Sequence, residues 1–396
     1  MTSATELDAA DTLAEHRSLF IRSDDVIAYL DGNSLGRPLK ASGERIAAFL
    51  ESQWGGRLIR GWDESWLAMP VGIGDDLGRV ALGAAAGQLT IGDSTTVLLY
   101  KLIRAAVAAR PGRTEIVIDR DNFPTDRYIV EGIAAEVGMT VCWIDAADAV
   151  TVEAVAMAIG PNTAAVILSH VAYRSGYIAD AAGITAVAHD AGALVVLDLC
   201  HSVGVVPVEL DAWGVDLAVG CTYKYLNGGP GAPAFAYVRA ELQDELRQPI
   251  QGWIGSATPF EMGQGYQPAP GIRGFLSGTP PIVGMLAMRD MIELIERVGL
   301  AAVRGKSVAL TTFAIERSDE LLPDAVLATP RDPAFRGSHI TLDHPRFAEL
   351  VPRLWARGVI PDFRRPSGLR LGLSPLSTSF VEVEAGILAI ADELAR

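Results

Sequence analysis

The chain has 396 residues, 49% of them hydrophobic and 20% charged, with a formal net charge of −15. That is a globular composition, long enough for one large core and a smaller domain beside it. The negative balance argues against nucleic acid and anionic membrane surfaces as partners, while small anionic ligands, which are bound by local groups, stay open.

The opening "MTSATELDAADTLAEH" has neither a basic n-region nor an apolar h-region. No apolar run reaches bilayer length without Gly, Pro or charge interrupting it. Cys142, Cys200 and Cys221 lack CxxC spacing, so they predict neither a metal cluster nor a disulfide framework. A reduced, cytoplasmic setting is the expectation.

Up to about residue 60 the pattern is loops and one amphipathic helix, roughly Leu39 to Gln53. Alternation follows. The short apolar runs "TEIVID" (114–119), "TVCWI" (140–144), "AAVILS" (164–169), "ALVVLDL" (193–199) and "VDLAVG" (215–220) read as strands. Most are separated by helical stretches such as "DRYIVEGIAAEVG" and "AAGITAVAHDAG". Continuous rather than alternating apolar strands mean burial on both faces, hence an α/β fold with a mostly parallel sheet covered by helices. "APAFAYVR" (232–239) follows too closely for a helical crossover and is predicted to pair antiparallel. From about residue 285 the order becomes helix, strand, helix, strand, helix, which predicts a small C-terminal α+β domain. The expected organisation is an N-terminal segment (1–60), a large domain (61–284) and a small one (285–396).

Charge is placed oddly in this frame. Asp198 ends one buried strand and Lys224 lies just past the next, with Gly, Pro and Asn following. Taken alone, Asp198 could cap a helix or pair with His201, and Lys224 could be a surface lysine. Ligands of parallel sheets bind at the strands' carboxyl ends, where both residues fall. Pyridoxal phosphate chemistry needs this pair: a lysine to hold the aldehyde and a carboxylate to keep the ring nitrogen protonated as an electron sink. His201 could orient that carboxylate or meet the ring. In "GDSTTVLLYKLIRAA", Asp93 or Ser94 can cap a helix that Thr95 and Thr96 open, a common arrangement suited to a phosphate.

The blocks "LDGNSLGRPLK", "GWDESWLAMP", "DSTTVLLYK", "DNFPTDRYI", "VILSHVAYRSGYIAD", "CTYKYLNGGPGA", "GWIG", "GFLSGTPPI" and "GLRLGLSPL" resemble, in order from about residue 30 to 380, the bacterial kynureninases. The resemblance implies the fold-type I fold of the aspartate aminotransferase superfamily. It implies a pyridoxal 5'-phosphate enzyme that hydrolyses L-kynurenine to anthranilate and L-alanine, and a homodimer with sites at the interface. It also implies roles. Lys224 would hold the cofactor, and Asp198 and Asp126 would meet its ring nitrogen. Phe123 would stack on the ring, with Ser169 and His201 lining the pocket. Thr95, Thr96, Tyr223 and Trp253 would hold the phosphate, and Thr279 would also touch the cofactor. Tyr223 is the candidate proton relay. Arg370 would clamp the substrate carboxylate, for which its fork suits better than a lysine. Trp62, Gly278 and Thr279 would surround the substrate ring, with Trp66 competing for the Trp62 role. Asn33 and Ser34 fall at the substrate mouth.

The rival within the fold, a cysteine desulfurase or selenocysteine lyase, needs a reactive cysteine late in the chain, and none follows Cys221. A catalytically dead homologue would lack the lysine or the carboxylate, and both are present. An enzyme acting on 3-hydroxy- or otherwise substituted kynurenine is the reading the sequence excludes least.

Overall fold

The computed structural model describes residues 2–146 and 149–396. A seven-stranded sheet is built from β1 (Leu89–Gly92), β2 (Glu115–Asp119), β3 (Thr140–Ile144), β4 (Thr163–Ser169), β5 (Leu194–Asp198), β6 (Leu217–Gly220) and β7 (Ala234–Val238), in the order β1-β7-β6-β5-β4-β2-β3. Pairings from β6 to β3 are parallel, whereas β7 runs antiparallel to both β6 and β1. The five predicted strands and the antiparallel strand that follows them are therefore present. The edge strand β1 was not predicted, because four residues leave no period to read.

Burial on both faces explains the continuous apolar runs. Ile116, Ile118, Ala165, Ile167 and Val196 point to a core roofed by α1 (Thr95–Ala108) and α2 (Pro124–Val137). Val117, Val166, Val195 and Leu197 alternate with them and face α3 (Ala181–Asp190) and α4 (Ile282–Val298) on the other side. A two-residue period delivering apolar side chains to both faces is what a covered parallel sheet requires.

A second sheet orders β10 (Asp362–Arg364), β11 (Gly368–Gly372), β9 (His339–Asp343) and β8 (Val326–Leu327), all antiparallel. It packs on α5 (Leu300–Leu321), α6 (Phe347–Ala356) and α7 (Phe380–Leu394) through Leu310, Ile340, Leu350, Leu371 and Ile387. The N-terminal segment is shared. Ala4, Ala28 and Leu30 join this core, while Leu13, Phe20 and Leu39 join the large one. The predicted N-terminal helix is found at Lys40–Ala48.

Helix α5 is absent from the sequence reading. Its buried side includes Ser307, Thr311 and Ser318. Two of those hydroxyls bond back to carbonyls one turn earlier, Thr311 to Ser307 at 2.9 Å and Ser318 to Ala314 at 2.7 Å. Small polar residues satisfied locally can be buried without producing an apolar stripe. Helices α4 and α5 meet at 92° around Gly299, whose φ of +86° favours glycine. Among the described residues no single helix is long and apolar enough to cross a membrane.

Candidate active site

Three strand ends form the floor. Ser169, Asp198 and Val219 lie in register at the carboxyl ends of β4, β5 and β6. Beyond Gly220 the chain makes a tight turn, with Asn227 N–H donating to the Lys224 carbonyl (3.0 Å) and Gly228 N–H to that of Thr222 (2.9 Å). Asn227 accordingly takes a left-handed φ of +51°. The turn faces Lys224 inward. Its Nζ is 3.2 Å from His201 Nε2 and 5.8 Å from the centre of the Phe123 ring. Burial, then the charges of Lys224 and Arg370, push His201 well below its ordinary value. The imidazole is therefore neutral, and Nε2 accepts from Nζ. His201 thus meets the lysine, and Asp198 Oδ1 instead accepts the Cys200 backbone N–H at 2.7 Å.

A second carboxylate stands beside Asp198. Asp126, in the first turn of α2, is buried and its Oδ2 has no hydrogen-bond partner among the described residues. Burial first, then the charges of Asp198 and Asp119, raise its carboxyl well above the ordinary range. An orphaned acid oxygen next to another carboxylate, a flat ring and a lysine amine is complementary to a flat ligand with a protonated ring nitrogen and an aldehyde. The residues fit pyridoxal phosphate. Asn122, which the sequence reading passed over inside "DNFPTD", ties the floor together. Its Oδ1 accepts from Ser169 Oγ (2.9 Å) and from Phe123 N–H (2.7 Å), and its Nδ2 donates to Asp119 (2.8 Å).

Arg370 lies on β11, only 1% exposed, so it is no solvated charge. Nη1 donates to the Tyr173 carbonyl (2.8 Å), and Nη2 donates to Ser34 Oγ (2.8 Å) and Asp362 Oδ2 (2.6 Å). With the Asn33 amide oriented to satisfy both neighbours, its oxygen accepts from Arg370 Nε at 3.0 Å and its nitrogen faces Asp31 at 3.3 Å. Four of the five guanidinium donors are thus engaged. The expected two-pronged grip on a carboxylate requires one of these bonds to be exchanged. Asn33 and Ser34 gain a role the sequence did not disclose, since they fix the guanidinium. Their loop also reaches the lysine, because Gly36 N–H donates to the Tyr223 carbonyl at 2.9 Å. A side chain at Gly36 would meet the Lys224 carbonyl at 2.3 Å.

The remaining candidates lie apart. Ser94 rather than Asp93 caps α1, accepting from Val97 N–H at 3.4 Å. Asp93 instead binds Lys101 Nζ (2.7 Å) and Ser277 Oγ (3.0 Å). Thr95 and Thr96 open that helix, and Trp253 is exposed, edge-on to Phe260. Trp62 and Thr279 line a cleft of about 430 Å³ with Trp54, Trp66 and Pro280. Trp66 is buried under Gly61, where a side chain would strike its ring, and Trp62 lies edge-on above it. Trp62 is the more accessible of the two. Gly278 is exposed beside Thr279, with open space where a side chain would stand. No hydrogen bond, ion pair or ring contact among the described residues links these groups to Lys224.

Comparison with known proteins places the arrangement. A family model described as "Kynureninase C-terminal domain" matches residues 303–390, and one described as "Cys/Met metabolism PLP-dependent enzyme" matches residues 78–251. The chain is 40% identical to the kynureninase of Pseudomonas fluorescens, over 98% of this chain and 94% of that one. It is also 40% identical to that of Burkholderia pseudomallei (strain 1106a), over 99% and 94%. Apo cysteine desulfurase from Thermococcus onnurineus NA1 shares the fold with a TM-score of 0.82 at 18% identity, over 96% of this chain and 98% of that one. A C-DES mutant with glycine covalently linked to its PLP cofactor gives 0.82 at 18% over 92% and 96%. The two solved structures share only the architecture, whereas the sequence match covers nearly the whole chain. This chain belongs to the kynureninase family, within the fold-type I pyridoxal-phosphate enzymes.

Proposed function

We propose that the protein hydrolyses the Cβ–Cγ bond of L-kynurenine, giving anthranilate and L-alanine. The observation that carries this is Lys224, buried against a neutral His201 and facing the Asp198–Asp126 pair, with Arg370 across the chamber. Pyridoxal phosphate, when bound, supplies the electron sink that lets charge leave the α-carbon.

The chain's residues do the rest. Lys224 would hold the cofactor, and its amine, when free, would take the α-proton at Nζ. Asp198, with Asp126 beside it, would keep the ring nitrogen protonated, and Phe123 would lie against the ring. Ser169 and His201 line the pocket. Thr95, Thr96, Tyr223 and Trp253 would hold the phosphate, and Thr279 would also touch the cofactor. Burial pushes the Tyr223 phenol far above its ordinary value, so it carries its proton at neutral pH. That suits it to protonate the β-carbon of the alanine fragment, a transfer worth about 10²- to 10⁴-fold in rate. Arg370 orients the substrate carboxylate, with Asn33 and Ser34 at the mouth. Replacing Arg370 with lysine keeps the charge and loses the fork, so the KM for kynurenine should rise at least about tenfold. Steady-state kinetics read this directly, and an unchanged KM removes Arg370 from the clamp.

Ring recognition falls to Trp62, Gly278 and Thr279, which offer shape but no long polar side chain to meet a 3-hydroxyl. An unpaired buried hydroxyl costs about 1–3 kcal/mol. Kynurenine should therefore have a higher kcat/KM than 3-hydroxykynurenine, and Thr279→Asn should narrow the gap. Equal constants in the wild type would favour the substituted-kynurenine reading. Exposed Leu50, Trp54, Leu58 and Ile59 lie close in sequence to Trp62, and they support a homodimer that buries this face with the sites at the interface. The two cores then act as large and small domains. A cytoplasmic location fits three free cysteines. One experiment tests the whole reading. The purified protein should show the visible absorption of lysine-bound pyridoxal phosphate and convert kynurenine to fluorescent anthranilate; colour without anthranilate sinks the assignment.

A further inference from the structure

His339 opens strand β9 and pairs with Gly372 of β11, two residues from the Thr341–Arg370 pair. Side chains two apart on a strand share a face, and so do directly opposed residues. The face that presents Arg370 therefore presents His339 too. Its ring centre is 5.5 Å from that of His201, the residue against Lys224 Nζ. Gly176 makes room for it, since a side chain there would come within 3.3 Å of Nε2. The ring is fully buried, and neither nitrogen has a hydrogen-bond partner among the described residues. The Arg174 backbone approaches it without meeting hydrogen-bond geometry at either nitrogen. A buried polar group left unpaired destabilises a fold, and one retained beside a reactive centre points to a bound reactant.

We propose that His339 is a further residue of the site, holding by a hydrogen bond the water that adds to the γ-carbonyl carbon of the substrate. This rests on the hydrolytic reading above. In the hydration the water oxygen bonds to Cγ, the carbonyl π pair moves onto its oxygen, and one water proton ends there. Burial and the nearby charges of Arg370 and Lys224 keep His339 neutral, so it accepts the water's O–H and aims the oxygen lone pair without keeping a proton. It is an orienting group rather than a base.

The test compares His339→Leu and His339→Gln as holoenzymes. Leucine should lower kcat roughly ten- to a hundredfold while KM stays within about twofold. It should also raise the melting temperature by about 2 °C or more, because an unpaired imidazole leaves the core. Glutamine, which keeps a donor and an acceptor, should return kcat to within about threefold of wild type. A leucine variant that keeps its kcat, or that melts below wild type, overturns the proposal. Wild-type protein that fails to turn over kynurenine would sink the functional reading alone. The melting temperature of the leucine variant would then still decide His339, a rise supporting a site group and a fall overturning it.

Discussion

Lys224→Ala is expected to lose kynurenine turnover by about 10⁴-fold or more, on the scale of removing a nucleophile that also serves as the base. The colour of lysine-bound cofactor should vanish with it. The structure explains why no other amine should substitute. Lys101 is held by Asp93 and by the Phe275 carbonyl, each at 2.7 Å, and Lys306 is tied to Asp11. Lys224 alone among these three faces an acceptor, His201, that a neutral imidazole can give up without leaving a charge unpaired. Borohydride treatment of the wild type followed by peptide mapping should place the reduced cofactor on Lys224. Finding it on Lys101 or Lys306 would break the reading at its centre.

The second large effect separates the two carboxylates. Two acids packed together in a buried site do not both ionise without a cation between them. The Cys200 N–H stabilises negative charge on Asp198, whereas the Asp126 oxygen is orphaned and its carboxyl is pushed up, so Asp126 is the one that keeps its proton. Asp198→Asn removes the charge proposed to hold the ring nitrogen's proton and should lower kcat/KM roughly 10³-fold, or about 4 kcal/mol. Asp126→Asn imitates a protonated acid and should cost about tenfold or less. Parallel kinetics on the two variants decide this. Equal losses would mean that the pair shares its charge, and near-normal turnover in Asp198→Asn would make that carboxylate structural.

Much of this could be read from the sequence where chemistry and pattern conflict. Asp198 and Lys224 stand out because charge interrupts apolar strands, and the antiparallel strand β7 because too little chain precedes it for a crossover. What stayed hidden depends on partners distant in sequence. Asn122 is an ordinary loop residue until Ser169 and Asp119 meet it. Asp362 is a surface-type acid until β10 brings it to Arg370. His339 is one more strand residue until its ring is found beside His201 with nothing to bond. Arg370 was recognisable only through the family blocks, and its engagement by four acceptors could not be read from sequence. Helix α5 hid because hydroxyls on its buried side break the apolar period.

The loop Asp31–Gly36 has a consequence for how the enzyme comes into being. Gly32 N–H donates to the Gly372 carbonyl at 3.1 Å, and Gly372 N–H donates to that of Leu30 at 2.6 Å. The beginning of the chain is thus stitched to a strand made near its end, and the guanidinium is clasped at that seam. On the ribosome the large sheet can assemble as soon as β7 emerges, so the lysine and its carboxylates are in place early. The grip proposed for Arg370 must wait until almost the whole polypeptide has been synthesised. A nascent or truncated chain could therefore take up cofactor while lacking its hold on the amino acid.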